Sequence, residues 1–255
     1  MVADISVVIP AYNAAPFIAE ALASIAFQTL APLEVIVVDD ASSDETADIV
    51  SKSAAVRLLR QGVNRGQAAA LNRGIAESHG AFLAFLDADD LWRPNKLSLQ
   101  RSAFDADPEL DAVYGLVEER VQGVDERIQS VDERTKSVDG HMPSVDERAK
   151  SIEGVSRRHG RVLAAHLPSA LLVRRAALLR VGGFDESFRL GSVVDWYSRA
   201  LSTGLRCTVL NEIVYERRIH GGNVSITRAA HRDDYLDVVR AALARRRSGN
   251  SGTQG

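Results

Sequence analysis

Very little in this chain points outside a reducing compartment or into a bilayer. One cysteine, Cys207, in 255 residues excludes an internal disulfide framework and fits reducing surroundings. It falls in the apolar stretch RCTVL, a strand pattern in which a thiol serves as a small core residue. No apolar run approaches the ~18 residues that a membrane helix needs. The sequence enters a strand pattern almost at once, with neither the basic start nor the small-residue cleavage site of a secretory leader. Excess positive charge is missing too: the formal net charge is -3, so no overall basic field argues for nucleic acid or an anionic membrane. The local exception is ARRR at Ala244–Arg247, read either as a solvated helix end or as a weak attraction to lipid or a partner. What is left is the composition of a soluble globular protein, 45% hydrophobic and 25% charged, long enough to bury one sizeable core or two small ones. The expected location is cytoplasmic, with peripheral contact at the inner membrane face left open.

What is present is an alternation. ISVVIP, LEVIVVDD, VRLLR and AFLAFLD read as short, nearly continuous apolar strands. Helical patterns lie between them, from Pro16 to about Ala26, after Ser42, from Gln67 to about Ser78, and from Pro94 to about Ala106. Ser42 with Glu45 has the spacing of a capping box. Apolar strands alternating with amphipathic helices predict an α/β fold, a mainly parallel sheet flanked by helices. In such sheets ligands sit beyond the carboxyl ends of the strands. Those ends carry Pro10-Ala11-Tyr12-Asn13, Asp39-Asp40 and Asp87-Ala88-Asp89-Asp90, and they are expected to converge on one crevice.

Residues 124–155 then repeat every seven: VDERIQS, VDERTKS, VDGHMPS, VDERAKS, IEGV, with VEERVQG at 117–123 as a degenerate leading copy. Val121, Ile128, Thr135, Met142 and Ala149 fit one core position of a heptad, and Val124, Val131, Val138, Val145 and Ile152 the other. One reading is a coiled segment that makes a homo-oligomer through residues 121–154. The other is a tandem duplication in a tolerant surface loop, since Gly140 and Pro143 interrupt the third full copy. Globular patterning resumes afterwards: a strand, a helix and a Gly-Gly turn in PSALLVRRAALLRVGGFDESF, a helix in VVDWYSRALSTG with Gly204 as its stop, strands in RCTVL and IVYERRI, and a terminal amphipathic helix before a Gly/Ser tail.

FLDADD, residues 85–90, carries an apolar strand straight into three carboxylates. Asp87 and Asp89, two apart on an extended backbone, would point to one side and repel unless a cation lies between them. An oxygen-rich pair suits Mg²⁺ or Mn²⁺ and leaves coordination positions open, which is how a metal is presented to a diphosphate. Asp39 or Asp40 at the neighbouring strand end accepts hydrogen bonds from a base N–H or a ribose hydroxyl, or else caps the SSDET turn. Tyr12 stacks on a base or packs under its loop.

VVIPAYNAAPFI, EVIVVDDASSDET, NRGQAAALNRGI, FLDADDLWRPNKL, VGGFDESF, DWYSRALSTG and RRIHGGNVS, in that order, resemble the family 2 glycosyltransferases of the GT-A fold. The resemblance runs through 4–116 and 166–226, about two thirds of the chain, and skips the repeat. It implies inverting transfer of a sugar from a nucleotide-sugar donor, a UDP-sugar by preference, to a hydroxyl acceptor: a glycan, a lipid-linked glycan, a protein or a metabolite. It further implies that Pro10, Tyr12, Asp39, Asp40, Arg65, Asp87, Ala88 and Asp89 bind the nucleotide-sugar, and that Asp87, Asp89 and His220 serve a Mn²⁺ or Mg²⁺ ion. His220 is otherwise an ordinary loop histidine.

Under that resemblance the chain divides into a nucleotide-sugar-binding half at 1–116, the repeat insertion at 117–155, an acceptor-binding half at 156–228, and a C-terminal helix with tail at 229–255. The sequence departs from the family where an acidic pair would precede the Asp-Trp step: Ser192 and Val193 stand there. Asp195 is the nearest carboxylate and the candidate catalytic base, or else an N-terminal helix residue. The departure keeps a rival in view, a nucleotide-sugar-binding protein impaired in catalysis. A nucleotidylyltransferase is disfavoured, because PAYNAAPFI lacks the Gly- and Lys/Arg-rich loop such enzymes carry after the first strand.

Overall fold

The computed structural model of the chain describes residues 4–121, 161–164, 166–189 and 191–223. The repeat beyond Val121 and the C-terminal segment, ARRR included, lie outside the described residues.

Four strands of the first half form a parallel block. β1 (Ile5–Ala11) lies between β2 (Glu34–Asp39) and β4 (Phe82–Phe85), and β3 (Val56–Arg60) flanks β2. β1 and β4 are buried along almost their whole length, as strands covered on both faces must be, which is why they read as unbroken apolar runs. The covering helices are α1 (Ile18–Ala26), α2 (Thr46–Ser51) and α3 (Gln67–Glu77). Gly74 of α3 lies so close to β1 that a Cβ there would meet Val8 Cγ1 at 2.3 Å. The helix therefore approaches the strand more closely than any side chain would permit.

The second half extends the same sheet in mixed directions. The order is β3-β2-β1-β4-β8-β6-β9-β5, with β7 paired to β6. β5 (Leu91–Trp92) precedes α4 (Lys96–Ala106), and β6 (Ala112–Val121), β7 (Arg161–Ala164) and β8 (Leu172–Arg174) follow. Helices α5 (Arg175–Val181) and α6 (Ser192–Ser202) then lead into β9 (Cys207–Ile219). β8 enters antiparallel between β4 and β6, while β6 and β9 run parallel over their length. Most paired residues lie in parallel ladders, so the expected α/β sheet is present. One apolar cluster from Ile5 to Tyr215 runs beneath both halves.

Four local expectations change. RCTVL and IVYERRI are one strand, β9, whose register against β6 shifts between Tyr114 and Leu116, opposite the exposed Asn211 and Glu212. Residues 117–121, assigned from sequence to a leading heptad copy, belong to β6; all pair with β9, and 117–119 pair with β7 as well. The Ser42/Glu45 capping box does not form. Asp44 takes its place, accepting the Thr46 N–H at 3.0 Å, while Ser42 Oγ accepts the Asn13 N–H at 2.9 Å. Finally, β4 ends at Phe85 and the acidic residues fold into a turn closed by Asp90 N–H to the Asp87 carbonyl at 3.0 Å. The premise of Asp87 and Asp89 on an extended backbone therefore fails.

Candidate functional site

The order β2-β1-β4 places three acidic or polar strand ends side by side, as the alternating pattern requires. The loops after β1 and β2 are laced together: Asn13 Oδ1 accepts the Ser43 N–H at 2.9 Å, and Ala14 N–H donates to Thr46 Oγ1 at 2.8 Å. Asn13 at φ 47° and Ala41 at φ 62° carry the sharp exits from the two strands. Pro10 is half-buried at the end of β1, and Tyr12, 48% exposed, stands at the rim where a flat ring is free to stack.

The neighbouring aspartates of β2 do different work. Asp39 is fully buried; Oδ1 accepts the Ser42 N–H at 3.0 Å and Oδ2 accepts from the exposed Arg60 at 3.2 Å. Asp40 is committed to the loop that follows β3. It accepts from Arg65 N–H (2.8 Å), Gly66 N–H (2.7 Å) and Gln61 Nε2 (2.8 Å). Burial raises the Asp40 carboxyl, and the two backbone donors pull it back. Arg65 itself is exposed and pairs with Glu186 at 2.8 Å, joining the loop after β3 to the one after α5.

At the acidic turn Ala88 is buried while Asp87 and Asp89 are partly open. Asp87 Oδ1 accepts from Gln67 Nε2 at 2.7 Å, and its N–H donates to the buried Ser169 Oγ at 3.0 Å. Burial, with Asp89 beside it, pushes the Asp87 carboxyl up to about 6. Asp90 is buried and accepts the Arg218 N–H at 3.0 Å; burial and then its two acidic neighbours raise its carboxyl well above the usual range. Arg218, 2% exposed, also donates to the Asp89 carbonyl and pairs with Glu20. Underneath, Trp92 Nε1 donates to the Ser169 carbonyl at 3.0 Å, and the buried Lys96 amine lies 4.5 Å from the Trp92 ring centroid. Burial holds that amine well below its ordinary range.

His220 comes to this turn from the far end of the chain. Its Nε2 lies 3.2 Å from Asp89 Oδ2, and its ring stacks on Phe17 at 4.3 Å. Gly222 N–H approaches Nδ1 at 3.2 Å, which favours the tautomer with its proton on Nε2. Ligation through Nε2 requires the other tautomer, at the expense of that long hydrogen bond. Among the described residues no three His, Cys, Asp or Glu side chains come close enough to hold a metal alone. A carboxylate touching an imidazole, with a second carboxylate on the same turn, is a set of oxygen and nitrogen donors of a kind that suits a divalent cation completed by outside ligands.

Asp195 does not join this group through any described contact. It lies in the first turn of α6, 1% exposed, with Arg199 Nε at 2.8 Å. Arg199 in turn donates to the Val181 carbonyl at 2.9 Å and the Gly183 carbonyl at 2.6 Å. The arrangement ties α6 to the Gly-Gly turn. An Asp-Arg pair four apart on a helix is a visible signal for it. Gln67, Ser169, Arg218 and Asn223 were not singled out from sequence; of these only Asn223, three residues after His220, had a local cue.

The family model described as Glycosyl transferase family 2 matches residues 6–153. Succinoglycan biosynthesis protein ExoU of Rhizobium meliloti (strain 1021) is 31% identical over 230 residues, covering 87% of this chain and 64% of that protein. Among solved structures, S. aureus TarS 1-349 in complex with UDP-GlcNAc aligns with a TM-score of 0.67 at 23% identity, over 94% of this chain and 65% of that one. Mannosyltransferase PcManGT from Pyrobaculum calidifontis, in complex with GDP-Man and Mn2+, aligns at 0.65 and 23% identity, over 96% of this chain and 65% of that one. The chain thus spans less than two thirds of the length of each of these three proteins. The two structures share its fold.

Proposed function

Since the chain belongs to glycosyl transferase family 2, we propose that it moves a sugar from a nucleoside diphosphate sugar, with UDP as the donor nucleotide, to a hydroxyl acceptor, in a divalent-cation-dependent reaction that inverts the anomeric centre. The observation that carries the reading is the meeting of Asp89 and His220, 131 residues apart in sequence, at one carboxylate oxygen beside Asp87. The solved relatives add support, since one holds UDP-GlcNAc and another GDP-Man with Mn²⁺.

In this reading Asp89 and His220, with Asp87 beside them, hold the cation. When bound, a divalent cation supplies Lewis-acid stabilisation of the charge that builds on the leaving diphosphate. The imidazole tilts the choice from Mg²⁺ toward Mn²⁺, which tolerates nitrogen ligands better. Tyr12 stacks on the base, Asp39 braces the strand exit through Ser42 and Arg60, and Asp40 holds the Arg65 loop against the same crevice. Asp195 stays outside the proposal as a base, because its carboxylate is buried and neutralised by Arg199.

That burial, together with Ser192 and Val193 where acids are expected, favours a second reading: donor binding without efficient transfer. Donor hydrolysis with no product on any hydroxyl acceptor would select it.

Calorimetric titration of UDP with Mn²⁺, with Mg²⁺ and with EDTA tests the donor site, repeated on Asp89→Ala. Binding that needs metal and falls at least 100-fold in the variant is expected. Silence toward UDP, GDP and dTDP under every metal would sink the donor-site assignment.

A further inference from the structure

We infer that Asn223 is a positioning residue for the Asp89–His220 pair, an inference that rests on the metal–diphosphate reading above. A single side-chain amide reaches both partners. Its Oδ1 accepts the His220 N–H at 2.5 Å, and its Nδ2 donates to Asp89 Oδ2 at 3.0 Å. Nδ2 also reaches the Arg218 carbonyl at 3.1 Å, and the Asn223 N–H closes the turn onto the His220 carbonyl at 3.0 Å. Asn223 itself is 7% exposed, so its amide is largely shielded from water.

Turn closure accounts for only part of this. The backbone bond and the Oδ1 contact are sufficient to form the turn over 220–223, and many turns use an Asn in that way. The Nδ2 bond to Asp89 contributes nothing to the turn. It fixes the rotamer of a carboxylate on a different segment, on the same oxygen that faces His220 Nε2. An amide is suited to the task because it donates without carrying charge. A lysine or arginine at 223 would neutralise Asp89 and repel a cation, whereas an amide leaves the full negative charge in place. A carboxylate oxygen has lone pairs for two partners, so Oδ2 can keep the amide while it binds a metal.

The effect is a gauge. One rigid group sets the separation of two metal donors whose backbones belong to different ends of the chain. Partners of this kind, one bond removed from the metal, are typically worth about 10- to 100-fold in metal affinity.

The test separates turn closure from donor spacing by comparing Asn223→Ala with Asn223→Ser in the full chain. Serine keeps an acceptor for the His220 N–H but has no amine to reach Asp89. Mn²⁺ affinity is read by electron paramagnetic resonance of the free ion in the presence of UDP. Melting temperature in EDTA is measured beside it. Expected is a loss of about 10-fold or more in Mn²⁺ affinity in both variants, with the Ser variant melting with the wild type in EDTA. Recovery of wild-type Mn²⁺ affinity by the Ser variant would overturn the inference. Wild-type protein that takes up no Mn²⁺ would instead overturn the functional reading, and the inference with it.

Discussion

The turn after β4 and the first turn of α6 both present aspartates that the sequence nominates for chemistry, and the protein treats them in opposite ways. Asp87 and Asp89 accept from the side-chain amides of Gln67 and Asn223, with the His220 ring against Asp89 and the Arg217 charge acting on Asp87 through space. Burial and then their mutual repulsion push the Asp87 carboxyl up to about 6. Asp195 faces a guanidinium and is closed off from solvent. A carboxylate solvated by amides remains available to an incoming cation, whereas one paired with arginine is already satisfied. The partners, more than the aspartates, distinguish the two places.

If that contrast is right, removing charge has opposite effects on stability in the two places. The largest effect is expected from Asp195→Ala, which strands Arg199 and the turn it holds; breaking a buried pair of this kind costs about 3 kcal/mol. Urea unfolding reads the loss, and metal-dependent UDP affinity in the folded variant stays at the wild-type value. A fall in that affinity would break the comparison.

Asp87→Asn is expected to stabilise the metal-free protein, by roughly 1–2 kcal/mol at neutral pH, while weakening Mn²⁺ binding. The sign follows from linkage. The folded carboxyl titrates near 6, above its ordinary 3.8, so its contribution to stability is fully present below about pH 4 and is lost as the pH rises through 6. The amide mimics the protonated form. Its advantage should therefore appear above pH 6 and vanish toward pH 4, as measured by unfolding in EDTA across that range. An advantage that does not change with pH would assign it to some other contact.

The smallest effect sharpens the account of Arg199. Arg199→Lys keeps the charge opposite Asp195 but cannot reach both the Val181 and Gly183 carbonyls. A loss of about 1 kcal/mol is expected by the same unfolding measurement. A loss equal to that of Asp195→Ala would mean that the carbonyl contacts, and not the ion pair, hold α6 in place.

The first hundred residues were legible because strands buried on both faces leave uninterrupted apolar runs, and their ends could be read directly. Legibility failed where polar residues interrupt a strand without ending it, as at Asn211 and Glu212 in β9. It failed again where two candidates compete locally, as Ser42 and Asp44 do for the start of α2. The acidic turn was found by composition and misjudged in backbone, since nothing in FLDADD marks Phe85 as the last strand residue. The Asp195–Arg199 pair was legible, since its members lie four apart on one helix. The Glu20–Arg218 pair was not, since 198 residues separate its members and only the closed sheet brings them together.

β6 and β7 are antiparallel neighbours, with Glu119 opposite Arg161, and the seven-residue copies lie between them in the sequence. The two ends of that roughly 40-residue connection are held by the ladder, whatever the number of copies between them. Closure entropy depends only on the logarithm of loop length, so deleting one copy changes it by about 0.2 kcal/mol. Copy number is accordingly almost invisible to the stability of the sheet.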